Sequence, residues 1–228
     1  MKDLLEKLNL EKHNDLDQKP QIEKSLGLEK IIEYFELYNQ IISFLSCNSF
    51  KSVSNIMIPK EYTSNDITQF SITIQKEQLV NVHNTYSHYS HYLNSLIYHC
   101  KEKEIIIITK HLNCELKYLV DNSQDKKIII IGPAGNWAGS YLLSGILDIQ
   151  GYCGDFLGFN MHDGTIIVNG NAGKNIGFKM INGNICITQD YGSISQQIYS
   201  GNIYHQGKQI IKDGKPVDGA EIKWAKSY

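Results

Sequence analysis

Residues 132–188 read as one pattern written three times: GPAGNWAGSYLLSGILDIQ (132–150), GYCGDFLGFNMHDGTIIVN (151–169) and GNAGKNIGFKMINGNICIT (170–188). Gly135, Gly154, Gly173 and Gly192 stand 19 residues apart. Gly132, Gly151 and Gly170 lead each unit by three residues, Gly139, Gly158 and Gly177 trail by four, and Gly145, Gly164 and Gly183 close it. A fixed period of this length marks one supersecondary unit stacked on itself.

Within each unit a short run alternates at period two. KIIIIG (127–132), ILDIQG (146–151), TIIVNG (165–170) and NICITQ (184–189) occupy equivalent places, and NIYHQG (202–207) is a degraded fifth. Gln189 and Gln196 stand there where glycines are due. Alignment puts Leu147, Ile166, Ile185 and Tyr204 in one apolar column, and Ile149, Val168, Ile187 and Gln206 in a second. Leu142, Met161 and Met180 form a third, and Ala134, Cys153 and Ala172 a fourth. Asp148, Ile167, Cys186 and His205 alternate with these and are expected to face outward. One coil cannot bury its own apolar face, so the coils must stack at the inter-strand spacing of about 4.8 Å. Glycines at the corners let successive backbones approach closely. The fold class expected is mainly β, a parallel β-helix with an α-rich N-terminal region.

The chain divides on this reading into residues 1–103, α-rich and of unassigned role, and residues 104–228, the β-helix with a C-terminal hairpin. Residues 1–18 read as a polar helix, with Pro20 a first-turn residue of the next. Apolar positions recur at helical spacing from Ile22 to Leu45, with Gly27 a candidate break. Phe70, Ile72 and Ile74 alternate with polar residues, which predicts a half-buried strand. Tyrosine and histidine at helical spacing predict a helix over 81–100. EIIIITK (104–110) reads as a buried strand. Residues 112–126 are spaced as a leading copy without its glycines, and Asp213-Gly214 signals a hairpin that covers the last strand edge.

The 228 residues carry a formal charge of −2, and all 22 basic residues are lysine. Nothing here pulls the chain toward nucleic acid or membrane. Without arginine there is no planar fork for phosphate or carboxylate. Five widely spaced cysteines with no CxxC pair fit reduced thiols, and the charged opening MKDLLEKLNL is unlike a secretory leader. A cytoplasmic location is expected.

The run GPAGNWAG…NICITQ resembles the GXGXG domain found at the C-terminus of the glutamate synthase large chain and in one of the subunits of formylmethanofuran dehydrogenase. The likeness covers about residues 104–207. It implies a right-handed parallel β-helix. It also implies a non-catalytic accessory or assembly module that docks on a larger redox or amide/formyl-transfer enzyme. No cofactor of its own is implied; a partner would carry flavin, iron–sulphur or metal.

Other patterns admit simpler roles. IIIIGPAGNWAG (128–139) imitates a dinucleotide loop, but G-x-G-x-x-G is missing and no helical segment follows. His83, His88, His91 and His99 fall within 17 residues, with His111 and Cys114 beyond, and His88, His91 and His99 are the candidate metal ligands. The interleaved tyrosines favour aromatic packing for this segment. Asp155, His162 and Asp163 with Ser140 or Ser144 lack a nucleophile elbow and read as corner polarity. Asn136, Asp155 and Lys174 share one corner and read as solvated. Cys153 and Cys186 read as small buried fillers. Trp137 and Phe156, stacked in one column, are the candidate partner surface. Competing functions are a self-contained enzyme built on the histidine-rich 83–114 segment, and a homo-oligomer assembled through the helix at 22–45.

Overall fold

The computed structural model describes residues 24–42, 57–73, 85–112 and 116–226. The expected helix at 1–18, Pro20, both outer ends of the 22–45 segment, Ile74, His83, Cys47 and Cys114 lie outside the described residues. Three helices, α1 (Leu26–Ile42), α2 (Ser64–Thr73) and α3 (Thr85–His99), precede one eight-stranded sheet. Its strands are β1 (Glu104–Ile108), β2 (Lys127–Ile131), β3 (Ile146–Ile149), β4 (Thr165–Val168), β5 (Asn184–Ile187), β6 (Asn202–His205), β7 (Lys208–Lys212) and β8 (Lys215–Pro216).

The first six strands pair in parallel in sequence order with no described helix between them, which is the arrangement of a solenoid and not of helical crossovers. The 19-residue period appears directly as register: Leu147 pairs with Ile166, and Ile166 with Ile185. The interior columns are buried as expected, with Ile128, Leu147, Ile166 and Ile185 in one, and Leu142, Met161 and Met180 in another. Gly170 shows why the corners are glycine: a Cβ there would sit 2.6 Å from the Gly151 carbonyl oxygen of the coil below. The Asp213-Gly214 hairpin forms, both residues taking positive φ (49° and 75°), and β6–β7–β8 close the sheet as an antiparallel meander.

The last coil departs from the expected alignment. Ile185 pairs with Ile203, so this coil has 18 residues and the interior place falls to Ile203, not Tyr204. Ile187 likewise faces His205 rather than Gln206, and Tyr204 takes the outward place expected for His205. The cause is Gly201, a corner glycine one place early, 18 residues after Gly183. A slip of one residue exchanges the two faces of a strand.

The outward column differs too. Ile129, Asp148, Ile167 and Cys186 lie outside the interior cluster, yet all are closed off from water, Asp148 being only 2% exposed. Period two fixes direction only, and parallel sheets are commonly buried on both faces. The Asp148 carboxylate accepts Asn169 Nδ2 at 2.8 Å and Gln150 Nε2 at 3.3 Å.

Phe70–Thr73 of the expected strand are instead the end of α2. Thr63 caps that helix: Asp66 N donates to Thr63 Oγ1 at 3.2 Å, and Thr63 N donates back to Asp66 Oδ2 at 2.8 Å. This reciprocal cap, followed by buried Ile67, Phe70 and Ser71 at helical spacing, outweighs a local alternation of only three residues. Gly27 does not divide α1. It lies in the first turn, after the Ser25 cap whose Oγ accepts Leu28 N at 3.0 Å. Gly27 is small because the Asp66 carboxylate, which also accepts Ser25 Oγ, presses against it.

Phe35, Tyr38, Phe70, Tyr89 and Tyr92 form an aromatic core between the helices, with ring centroids 5.0–6.1 Å apart. This core runs on without a break into the β-helix interior. The helices therefore act as a cap on the first coils. The Thr68 hydroxyl on α2 donates to Ile106 O at 2.7 Å, and Ser71 Oγ accepts Ile108 N at 2.9 Å. Away from this core α1 shows solvent Leu26, Leu37 and Ile41, with Leu26 68% exposed.

Candidate functional site

The most distinctive feature outside the core is a ladder of rings built by the repeat. Tyr118, Trp137 and Phe156 occupy one position on three successive coils and share φ near 60°. Bulky residues rarely accept this left-handed conformation. Here it aims each amide at the next coil: Tyr118 N donates to Asn136 O (2.9 Å), Trp137 N to Asp155 O (2.8 Å) and Phe156 N to Lys174 O (2.7 Å). The ladder bonds offset a strain of about 1–2 kcal/mol per residue.

With the backbones in step, the rings stack. Tyr118 and Trp137 lie 4.8 Å apart at 7°, and Trp137 and Phe156 5.4 Å apart at 6°. The row extends at both ends. His91 of α3 lies 6.5 Å from the Tyr118 ring, and Phe156 meets Phe178 edge-on at 6.1 Å. Phe178 stacks on Phe159 at 5.8 Å, and Phe159 meets Tyr141 at 5.4 Å. These rings belong to neither the core cluster nor its packed margin. Most are half-buried, and Tyr141 is exposed. Their faces are used on one another, so along the stacked part the edges are what a visitor meets. Such a surface suits close apolar contact with a protein better than flat stacking of a sugar or base.

The sequence singles out Trp137 and Phe156, and the structure does bring them together. It does not single out Tyr118, Phe159, Phe178 and Tyr141. The signal is present, since Tyr118 stands 19 residues before Trp137 and Phe159 19 before Phe178. The corner beside the ladder is not simply solvated: Asn136 Oδ1 accepts Asp155 N at 2.8 Å and Asp155 Oδ1 accepts Lys174 N at 2.7 Å. These side chains stitch coils together and hold the ladder's spacing.

Histidines of α3 part company. His88 is buried, and burial pushes its pKa down. His91 is half-buried on the Tyr118 ring, while His99 is exposed and packs edge-on against Tyr98. His88 and His99 are separated by about 16 Å of helix axis, too far to share an ion. Among the described residues no group of three His, Cys, Asp or Glu side chains is placed to hold a metal.

The hydrolase-like residues do not converge. Ser140 Oγ donates to Trp137 O at 2.6 Å, Ser144 Oγ to Asp125 Oδ1 at 2.6 Å, and His162 and Asp163 are exposed. The glycine run after β2 leads into the corners of the coil, not into a helix. Cys153 and Cys186 are buried fillers, and burial pushes the Cys186 thiol up to about 11, which leaves it protonated and unreactive at neutral pH. No described helix is long and apolar enough to cross a membrane.

Comparison with known proteins returned nothing similar: no protein-family model, no curated protein and no solved structure matches the chain.

Proposed function

We propose that this chain is a non-catalytic docking module of the cytoplasm, similar to the GXGXG parts of glutamate synthase and formylmethanofuran dehydrogenase. Its partner is a larger redox or amide/formyl-transfer enzyme, which brings the flavin, iron–sulphur cluster or metal. One observation carries the reading: the ring ladder on Tyr118, Trp137 and Phe156 lies outside the hydrophobic core, half-exposed across three coils. Partly exposed aromatic residues on a rigid scaffold are the usual anchors of protein interfaces.

The test is affinity capture from native extract with the intact chain, read by mass spectrometry, beside the Trp137→Ser/Phe156→Ser variant. A stoichiometric flavoenzyme, amidotransferase or formyl-transfer subunit is expected with the natural chain, and it should be lost from the variant while the variant's circular dichroism is unchanged. Recovery of the chain alone, or equal capture by both, refutes the reading.

A further inference from the structure

The last coil of the solenoid is finished by chain that has already left it. After β8 the backbone turns at residues 217–220, where Ala220 N donates to Val217 O at 3.0 Å, and runs back across the stack. There it adds one more strand. Ile194 N donates to Lys223 O at 2.8 Å, and Ala225 N donates to Ile194 O at 2.8 Å, a parallel bridge with Trp224 at its centre. On its other side Ile194 bridges Ile176 of the coil before. Residues 223–225 thus stand where a further coil would stand. Gln196 Nε2 adds a bond to Ala225 O (2.8 Å), and Lys223 N donates to the Tyr191 hydroxyl (3.3 Å).

This strand is held by its main chain far more than by its side chains. Glu221, Lys223, Trp224 and Lys226 are exposed, and only Ala220 and Ile222 pack partly against the core. Ile176 and Ile194, the coil residues in the same column, are by contrast fully buried. Between the tail and the β6–β7 hairpin lies a cleft of about 770 Å³ lined by Tyr191, His205, Lys208, Ile222 and Lys223 among others, so one flank of the tail is unpacked. The turn that carries it is unobstructed, with no atom within 4 Å of a Cβ built on Gly219.

Main-chain bonds at a sheet edge are indifferent to which molecule supplies the strand. Exchange of such an end segment between identical chains is a low-cost route to pairing. We infer that the last coil ends in a strand-accepting slot at Tyr191, Ile194 and Gln196, which residues 221–226 fill in cis and the same segment of a second copy fills in trans. A second copy is the occupant because its tail already carries each group the slot uses: the Lys223 N–H and carbonyl, the Ala225 N–H and carbonyl, and the Lys223 ammonium that lies 5.4 Å over the Tyr191 ring. Reciprocal exchange uses up both slots, so it closes at a pair and does not run on into a fibre.

The experiment uses a fluorescent peptide of residues 220–226, AEIKWAK, titrated by anisotropy against the full-length chain and its Ala225→Pro variant. Proline lacks the N–H that the tail gives to Ile194 O, and the slot itself is untouched. The tail of the natural chain competes at the high effective concentration of a tethered segment. The variant is therefore expected to bind the natural peptide about tenfold more tightly than the natural chain does, and to ignore a peptide carrying the same proline. If Ala225→Pro fails to fold, Lys223→Pro, which removes the donor to Tyr191, must give the same order. Equal binding by variant and natural chain, no binding by either, or equal binding of the proline peptide overturns the inference.

Discussion

Alanine at three glycines separates the two demands that the repeat makes on its corners. At Gly170 the φ is ordinary, and the cost is purely steric. A Cβ would stand 2.6 Å from Gly151 O, 2.7 Å from Gly151 C and 2.8 Å from Tyr152 N, all backbone of the coil below. At Gly219 φ is 75° and nothing lies within 4 Å, so the cost is purely conformational. At Gly164 both apply, with φ 94° and Gly145 O at 2.7 Å. The added methyl in Gly170→Ala needs roughly 0.6 Å more separation to reach ordinary contact with a carbonyl oxygen. Two ladder bonds flank the site, Asn169 N to Ile149 O and Cys153 N to Asn171 O, both 2.9 Å. Opened by that amount, both reach the limit of useful hydrogen bonding. Two weakened bonds at about 1 kcal/mol each, with residual overpacking, give a loss of about 3 kcal/mol. Gly219→Ala should cost about 1 kcal/mol, and Gly164→Ala about 4 kcal/mol as the sum of both effects. For a chain of this size about 1 kcal/mol moves Tm by roughly 2–4 °C. Thermal melts followed by circular dichroism should therefore rank Gly219→Ala, Gly170→Ala and Gly164→Ala at about 3, 9 and 12 °C below the natural chain. A Gly170→Ala protein that melts no lower than Gly219→Ala would sink the argument that coil contact, rather than φ, selects these glycines.

Asn94 ties α3 to the leading coil, where no glycines help. Its Nδ2 donates to Tyr118 O at 2.7 Å and its Oδ1 accepts Val120 N at 2.8 Å, just where Val120 holds φ 61° in the column otherwise filled by Gly139, Gly158 and Gly177. Asn94→Ala orphans both backbone groups and should lower stability by about 2–3 kcal/mol, measured as a shift in urea midpoint at constant slope. His88 supplies a pH dependence. Burial lowers its folded pKa below the unfolded value near 6.5. The unfolded chain then binds the extra proton, so this contribution is present in full above the unfolded pKa near 6.5 and is lost as pH falls from there through the lower folded pKa. Tm should drop between pH 7.5 and 5.5, and His88→Leu should flatten that drop; equal slopes in both proteins would remove His88 as its cause.

Two rings of the ladder, Trp137 and Phe156, were legible and the rest were not, for a local reason. Trp137 and Phe156 sit inside glycine-framed units, so their equivalence can be counted off. Tyr118 belongs to a coil that the glycines do not mark, where Val120 and the Asn94 clamp replace them. The link from Phe156 to Phe178 is an edge-on contact across two different columns, which no single alignment of the repeat displays. The Phe70–Ile74 alternation misled because the decisive groups, Thr63 and Asp66, lie before it and act through a cap.

The sequence by itself determined the coil. Its 19-residue period, the strand at each unit, the interior columns through Leu147, Ile166 and Ile185, and the Asp213-Gly214 turn all follow from spacing and from residues that allow close approach or positive φ. These are properties of neighbours within one unit or one period. Tertiary structure decided what lies over each face. It closed water away from Asp148 and Cys186, seated the aromatic helices on the first coil and laid residues 223–225 along Ile194. The physical reason is that periodicity fixes the direction in which a side chain points, whereas burial depends on a surface brought there by chain far away in sequence.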